Sequence, residues 1–186
     1  MLRIISIKKN RIQEFKSLRL LALKTDILAF GSTHGEMAHK DRKYWKDELE
    51  NTSRKRWYFA EVDGELVGSV AVKFAQNKKF EHIAKLSAVF VKREFRGKGI
   101  ASSLLKKVIE NTFKNQKIQK IKLGVNSSQK AAIKLYEKLG FKVCGMFKNE
   151  FKIGERYYNG YVMELHKKSV LLGRTFWRKT QNNLTN

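Results

Sequence analysis

Residues 91–105 read VKREFRGKGIASSLL, a strand-like run that closes in cations and two glycines and then takes up helical spacing. A helix beginning near Gly99 presents unpaired N–H groups and the positive end of its dipole to that junction, and neighbouring glycines let an anion approach the main chain. Arg96 and Lys98 put formal charge beside those amides, and Lys106 and Lys107 follow on the helix. Charge and backbone both point toward a phosphate. The plainer account of the same residues is that the glycines serve only the turn and the cations are solvated. Spacing excludes two nucleotide-binding loops: the GxxxxGK[ST] pattern is missing, and so are three glycines at GxGxxG spacing.

Around this junction the chain alternates strands with helices. Ile83 to Val91 reads as a strand, Ile100 to Asn115 as a helix, Ile118 to Val125 as a strand, and Gln129 to Leu139 as a helix closed by a left-handed cap at Gly140. Phe141 to Phe151 and Arg156 to Leu165 are two further strands. On the other side, Trp57 to Val62 and Glu65 to Phe74 are β-rich runs joined by Asp63-Gly64, a two-residue turn whose positive φ angles suit the twist of a hairpin. Leu2 to Ile7 reads as a first strand, and Ile12 to Leu28 as a helix with Phe15, Leu18, Ala22 and Thr25 near one face. Gly31 and Gly35 break that pattern before a shorter helix carrying Tyr44, Trp45 and Leu49. The order β-α-α-β-β-β-α-β-α-β-β implies a mixed sheet with helices packed on it, because a strand–helix–strand unit closes as a right-handed parallel crossover.

A chain of 186 residues suits one buried core. Residues 1–165 show no linker or repeat and are expected to form a single domain. Residues 166–186 form a basic C-terminal extension, in which Leu171, Phe176 and Trp177 are candidates for docking on the domain or on a second copy of the chain.

Forty Lys and Arg against seventeen Asp and Glu give a net charge of +23, which admits nucleic acid, acidic membranes and phosphorylated cofactors as partners. The charges are spread along the chain as on a solvated surface, no RRM, KH or zinc pattern accompanies them, and Phe and Tyr are scattered as in a core. Cys144 is the only cysteine, so no internal disulfide forms, and within FKVCGMF it reads as a small core residue. No apolar run approaches the ~18 residues of a membrane span, and MLRIISIKKN is too quickly charged for a signal peptide. The expectation is a cytoplasmic protein without a membrane partner. His34, His39, His82 and His166 lack HxH or HExxH spacing, and no metal is expected.

Arg96-Gly97-Lys98-Gly99-Ile100-Ala101 resembles the R/Q-x-x-G-x-G/A signature of the GNAT superfamily, the Gcn5-related N-acetyltransferases, with the apolar strand LSAVFV placed before it. AAIKLYEKLGF is similar to that family's helix carrying a Tyr and closing in GF, and LRLLALKTDILAFGS and FKIGERYYNGYVMEL resemble a bacterial branch. The resemblance covers residues 1 to about 165 in order. It implies an α/β fold: a mixed, mostly antiparallel twisted sheet of about seven strands with about four helices packed on both faces.

The resemblance further implies direct transfer of an acetyl group from acetyl-CoA to a primary amine of a small molecule, peptide or protein. The pyrophosphate would sit on the turn Arg96, Gly97, Lys98, Gly99, Ile100, Ala101 and Ser102. Pantetheine would run along Val89, Phe90 and Val91, with a backbone N–H near Val89 polarising the acetyl carbonyl. Tyr136 occupies the position of a phenol that protonates the leaving thiolate. Gln129 stands where relatives carry an Asn that bonds the cofactor; Asn126 is a second candidate, or else caps the following helix with Ser127 or Ser128. Arg93 replaces a common Pro. Glu81 and His82 are the candidates for the base that takes the amine's proton, with Glu36 and Glu150 as alternatives from flanking segments. Partners are then an amine-bearing acceptor and a possible second copy of the chain. Two other readings stay open: a basic nucleic-acid- or ribosome-associated module, and a GNAT-shaped protein that binds CoA without transferring acetyl.

Overall fold

The computed structural model describes residues 1–170. Seven strands form one sheet: β1 (Leu2–Ile5), β2 (Lys55–Val62), β3 (Glu65–Phe74), β4 (Ile83–Val91), β5 (Lys120–Asn126), β6 (Lys142–Ile153) and β7 (Arg156–His166), in the spatial order β1-β2-β3-β4-β5-β7-β6. Five α-helices lie between β1 and β6, namely α1 (Ile12–Thr25), α2 (His34–Ala38), α3 (Arg42–Leu49), α4 (Ile100–Phe113) and α5 (Lys130–Lys138), and residues 167–170 are helical beyond β7. Every neighbouring pair of strands is antiparallel except β4 and β5, which α4 connects as a parallel crossover. Mixed sheet, strand number and helices on two faces agree with the reading of the sequence, with more helices than the four expected.

Strand alternation sorts the core into two layers. On one face, α4 and α5 bury Leu104, Leu105, Val108, Ile109, Ile133 and Tyr136 against Val70, Val72, Leu86 and Ile121 of the sheet. On the other, α1, α2 and α3 bury Phe15, Leu18, Met37 and Trp45 against Trp57, Phe59, Ala71 and Phe90. Phe15 meets Trp45, Trp57 and Phe59 edge-on at centroid distances of 5.6, 4.8 and 5.7 Å, each such pair adding about 0.5–1.5 kcal/mol to the area it buries. The buried Glu61 on β2 is held by Arg3, at 2.5 Å, and by Arg11.

The hairpin of β2 and β3 turns on Asp63 and Gly64, whose φ angles of 49° and 88° are both positive as the Asp-Gly pair requires. Elsewhere the boundaries move. The first helix stops at Thr25 instead of Leu28, because Arg93 donates to the Thr25 carbonyl at 2.6 Å and Arg96 binds the Asp26 carboxylate, which turns the chain out of the helix. Gly35 lies inside α2, which the sequence reading passed over. Thr33 and Glu36 close a reciprocal capping box there, Thr33 Oγ1 accepting from the Glu36 amide at 3.2 Å and the Glu36 carboxylate from the Thr33 amide at 2.7 Å.

Cys144, expected in the core, is exposed. It lies on β6, the outer strand of the sheet, where Val143, Met146 and Phe147 are also exposed. Beyond β7, Val170 packs against the α4–α5 side of the core; Leu171, Phe176 and Trp177 lie outside the described residues.

Candidate active site

Beta strands 4 and 5 pair only from Ile83–Lys85 to Lys120–Lys122. Past that point they part, and a cavity of about 480 Å³ opens between them, within the range of small-molecule sites. Its walls are β4 from Leu86 to Val91, β5 from Leu123 to Asn126, the turn through Arg96, Gly97 and Gly99 into Ile100–Ser102, Gln129 and the inner side of α5 with Tyr136, and Asp26 and Ala29 from the segment between α1 and α2. The fold thus brings twelve of the fifteen candidate site residues, all but Lys98, Glu81 and His82, to the cavity wall.

Beta strand 4 carries a bulge where it faces β3: Ser69 pairs with Phe90, but Ala71 pairs with Ser87. Ala88 has φ 53°, and the buried Ser69 hydroxyl donates to the Ala88 carbonyl at 3.2 Å. A bulge turns successive backbone groups out of the ladder and re-aims them. Gly68 makes this closeness possible, because a Cβ there would stand 2.9 Å from the Phe90 carbonyl oxygen.

At the turn, Gly97 and Gly99 have φ of 77° and 76°, a conformation that costs other residues about 1–2 kcal/mol. An added Cβ at either position would meet nothing within 4 Å. From Gly97 to Ser102 no amide has a backbone hydrogen bond among the described residues; the first to pair is that of Ser103, on the Gly99 carbonyl at 3.0 Å. A row of free N–H groups at the positive end of α4, with open space before two glycines, fits a phosphorylated ligand.

The Arg96 side chain does not add its charge to that row as a free cation. Its Nε donates to the Val91 carbonyl at 2.9 Å, its Nη2 binds Asp26, and the guanidinium lies 5.8 Å from the Phe90 ring centroid. Lys98 instead lies 5.3 Å over the Phe95 ring and stays outside the cavity wall.

Across the cavity Tyr136 is 6% exposed, with its ring edge-on to Phe141 at 5.9 Å. Burial pushes its phenol well above the ordinary value, so the group stays protonated at neutral pH and is suited to give a proton, not to take one. Asn126 is buried; its Oδ1 accepts from the Ser128 amide at 2.9 Å and from the Ser128 hydroxyl at 2.8 Å. Its Nδ2 is buried without a partner, a donor that a carbonyl of a bound ligand would satisfy. Asn126 therefore serves the α5 entry and faces the cavity at once. Gln129 is the residue before α5 and makes no capping bond.

Glu81 and His82 are not brought to the cavity. They precede β4 at its far end, where Glu81 pairs with Lys117 at 3.3 Å and the His82 carbonyl accepts from Gln119 and Lys120. At about 3.3 Å per strand residue that end lies roughly 20 Å from Val89. Glu36 is committed to its capping box, and Glu150 packs on Gly160 within a β6 irregularity; neither lines the cavity. Asp26 is the acid of the cavity wall, and the sequence reading did not single it out. Among the described residues no group of three or more His, Cys, Asp or Glu side chains is placed to hold a metal ion.

The model of the acetyltransferase (GNAT) family matches residues 22–141, well over half of the chain. The chain belongs to that family. This acetyltransferase is 26% identical over 128 residues to the L-amino acid N-acetyltransferase AaaT of Escherichia coli, an alignment covering 69% of the chain and 78% of the relative. It is 30% identical over 111 residues to the spermidine N(1)-acetyltransferase of the same organism, covering 59% of the chain but 57% of that relative's length. Among solved structures, yncA from Salmonella typhimurium, a putative acetyltransferase with its cofactor acetyl-CoA, superposes with a TM-score of 0.77 at 18% identity, covering 89% of this chain and 94% of that one. The acetyltransferase draws its acetyl group from acetyl-CoA, and acetylates nitrogen.

Proposed function

We propose that this acetyltransferase moves the acetyl group of acetyl-CoA directly to the primary amine of a small acceptor of the amino-acid kind. The observation that carries the reading is the cavity itself: free amides, an unpartnered Asn126 Nδ2 and a protonated Tyr136 face one space between two parting strands. When bound, acetyl-CoA supplies an acetyl thioester. The amides of Gly97 to Ser102 hold its pyrophosphate, and Asn126 and Gln129 steady the arm that leads toward β4. The bulge at Ala88 presents the Val89 N–H to the thioester oxygen, where charge develops as the amine attacks. Tyr136 gives its proton to the leaving sulfur. No bond to the protein is needed, since transfer asks only for positioning, proton removal and a stabilised oxygen.

The wall holds no histidine, and its acid, Asp26, is bound to Arg96. A polycation finds no free carboxylate there, which supports an amino-acid acceptor over a polyamine such as that of the spermidine relative. For the same reason the amine loses its proton to water before or during attack.

The test is CoA release with a panel of amino acids, peptides, polyamines and aminoglycosides, repeated with Tyr136→Phe. The proposal expects release with amino acids, and a loss of about 100-fold or more in kcat for the variant, the usual weight of a general acid, with acetyl-CoA affinity kept. A raised melting temperature with acetyl-CoA but no release with any amine would instead favour binding without transfer.

A further inference from the structure

Two arginines, Arg93 just before the turn and Arg96 at its start, reach the end of α1. Arg93 Nη2 donates to the Thr25 carbonyl at 2.6 Å and stands 3.9 Å from the Asp26 carboxylate; Arg96 binds the same carboxylate while its Nε holds the Val91 carbonyl. The Asp26 side chain is 19% exposed, and its own carbonyl accepts from the Ala29 amide at 2.8 Å. Both Asp26 and Ala29 line the cavity. The segment between α1 and α2 is therefore tied to the glycine turn and not merely to its own helices. Phe30, next in the chain, lies under the Arg19 guanidinium at 4.6 Å.

Exposed ion pairs contribute little, and stability alone does not account for the form of this one. A cation on the last carbonyls of a helix is favoured by the dipole, yet Arg93 comes from an element distant in sequence whose neighbour Arg96 is already fastened to β4. The outcome is a three-point fixture: β4 through Val91, the turn through Arg96 itself, and the α1 end through Asp26 and Thr25. Arg96 has five N–H donors, so an anion settling on the turn does not have to displace Asp26.

We infer that Asp26 and Arg93 are positioning residues, which lock the 26–33 segment of the cavity wall to the glycine turn so that its order follows occupancy of the turn. The inference rests on the reading that the turn holds the pyrophosphate of acetyl-CoA. It assigns neither residue a contact with the reacting atoms.

Hydrogen exchange followed by mass spectrometry on the full chain, with and without acetyl-CoA, tests it without an acceptor. In the wild type acetyl-CoA slows exchange both at 97–102 and at 27–33. In Asp26→Ala, and in the shape-keeping Asp26→Asn, slowing persists at 97–102 while 27–33 exchanges about tenfold faster than in the loaded wild type, the factor carried by one charge-assisted hydrogen bond. Asp26→Glu restores slow exchange at 27–33, and Arg93→Met behaves as Asp26→Ala does. Protection at 27–33 that survives in Asp26→Ala and Asp26→Asn overturns the inference, as does a wild type protected at 97–102 alone. A wild type unprotected at 97–102 overturns the reading of the turn, and the inference with it.

Discussion

Replacing Gly99 by alanine separates the turn's backbone geometry from its service to a ligand. Gly99 has φ 76°, where an added Cβ meets nothing within 4 Å; the substitution costs backbone strain without a clash, about 1 kcal/mol. For a chain of this size that lowers the melting temperature by about 2–4 °C. Gly64, in the β2–β3 hairpin with φ 88° and the same open surroundings, carries a comparable strain far from the cavity and serves as the control. The methyl group at Gly99 also stands in the space before the free amides. Loss of one hydrogen bond to a charged group is about 1.5–3 kcal/mol, or a roughly 10- to 100-fold weaker Kd. Calorimetric titration with acetyl-CoA and thermal melts read both quantities. Gly99→Ala and Gly64→Ala should melt alike, and only the first should lose affinity. Equal affinity for acetyl-CoA in the two variants refutes the cradle.

Because no histidine or unpaired carboxylate lines the cavity among the described residues, kcat/KM for the acceptor should rise with pH along the acceptor amine's own titration; two acceptors of different amine pKa should give two displaced profiles, whereas one shared inflection near pH 6–7 would reveal a base of the protein. Glu61 tests the fold independently. Hydrogen bonds from Arg11 and then Arg3 hold its carboxyl below the ordinary value, so its contribution to stability is complete above the unfolded carboxylate's pKa and disappears as pH falls through the lower folded one. Glu61→Gln should cost about 2 kcal/mol at pH 7, and its stability, followed by urea unfolding, should fall less steeply than that of the wild type below about pH 5.

Much of this is legible in the sequence. β3 and β4 have the expected bounds, since alternation and the Asp63-Gly64 turn are local signals. The turn was legible because glycines at 97 and 99 meet a conformational need that no neighbour has to impose. What escaped was long-range. Ile27 and Leu28 continue the period of α1, but Arg93 and Arg96, distant in sequence, hold the chain where the helix ends three residues earlier. The same contact withdraws the Arg96 side chain from the free-cation role its motif suggests. Cys144 lies in an apolar run, yet the strand order leaves β6 at the sheet's edge. Glu81 and His82 adjoin the right strand at its wrong end, because sequence proximity to β4 does not say which end opens into the cavity. α2 spans only five residues, too short for periodicity, although its Thr33–Glu36 capping box was there to be read.

The central claim is that main-chain groups of the turn and of the β4 bulge direct a thioester at Tyr136. A crystal structure with acetyl-CoA tests it most directly. The account predicts pyrophosphate oxygens within hydrogen-bond distance of amides between Gly97 and Ser102, the acetyl oxygen on the Val89 N–H, and the sulfur beside the Tyr136 hydroxyl. A pyrophosphate bound by lysine side chains away from the turn, or a thioester remote from β4, contradicts it.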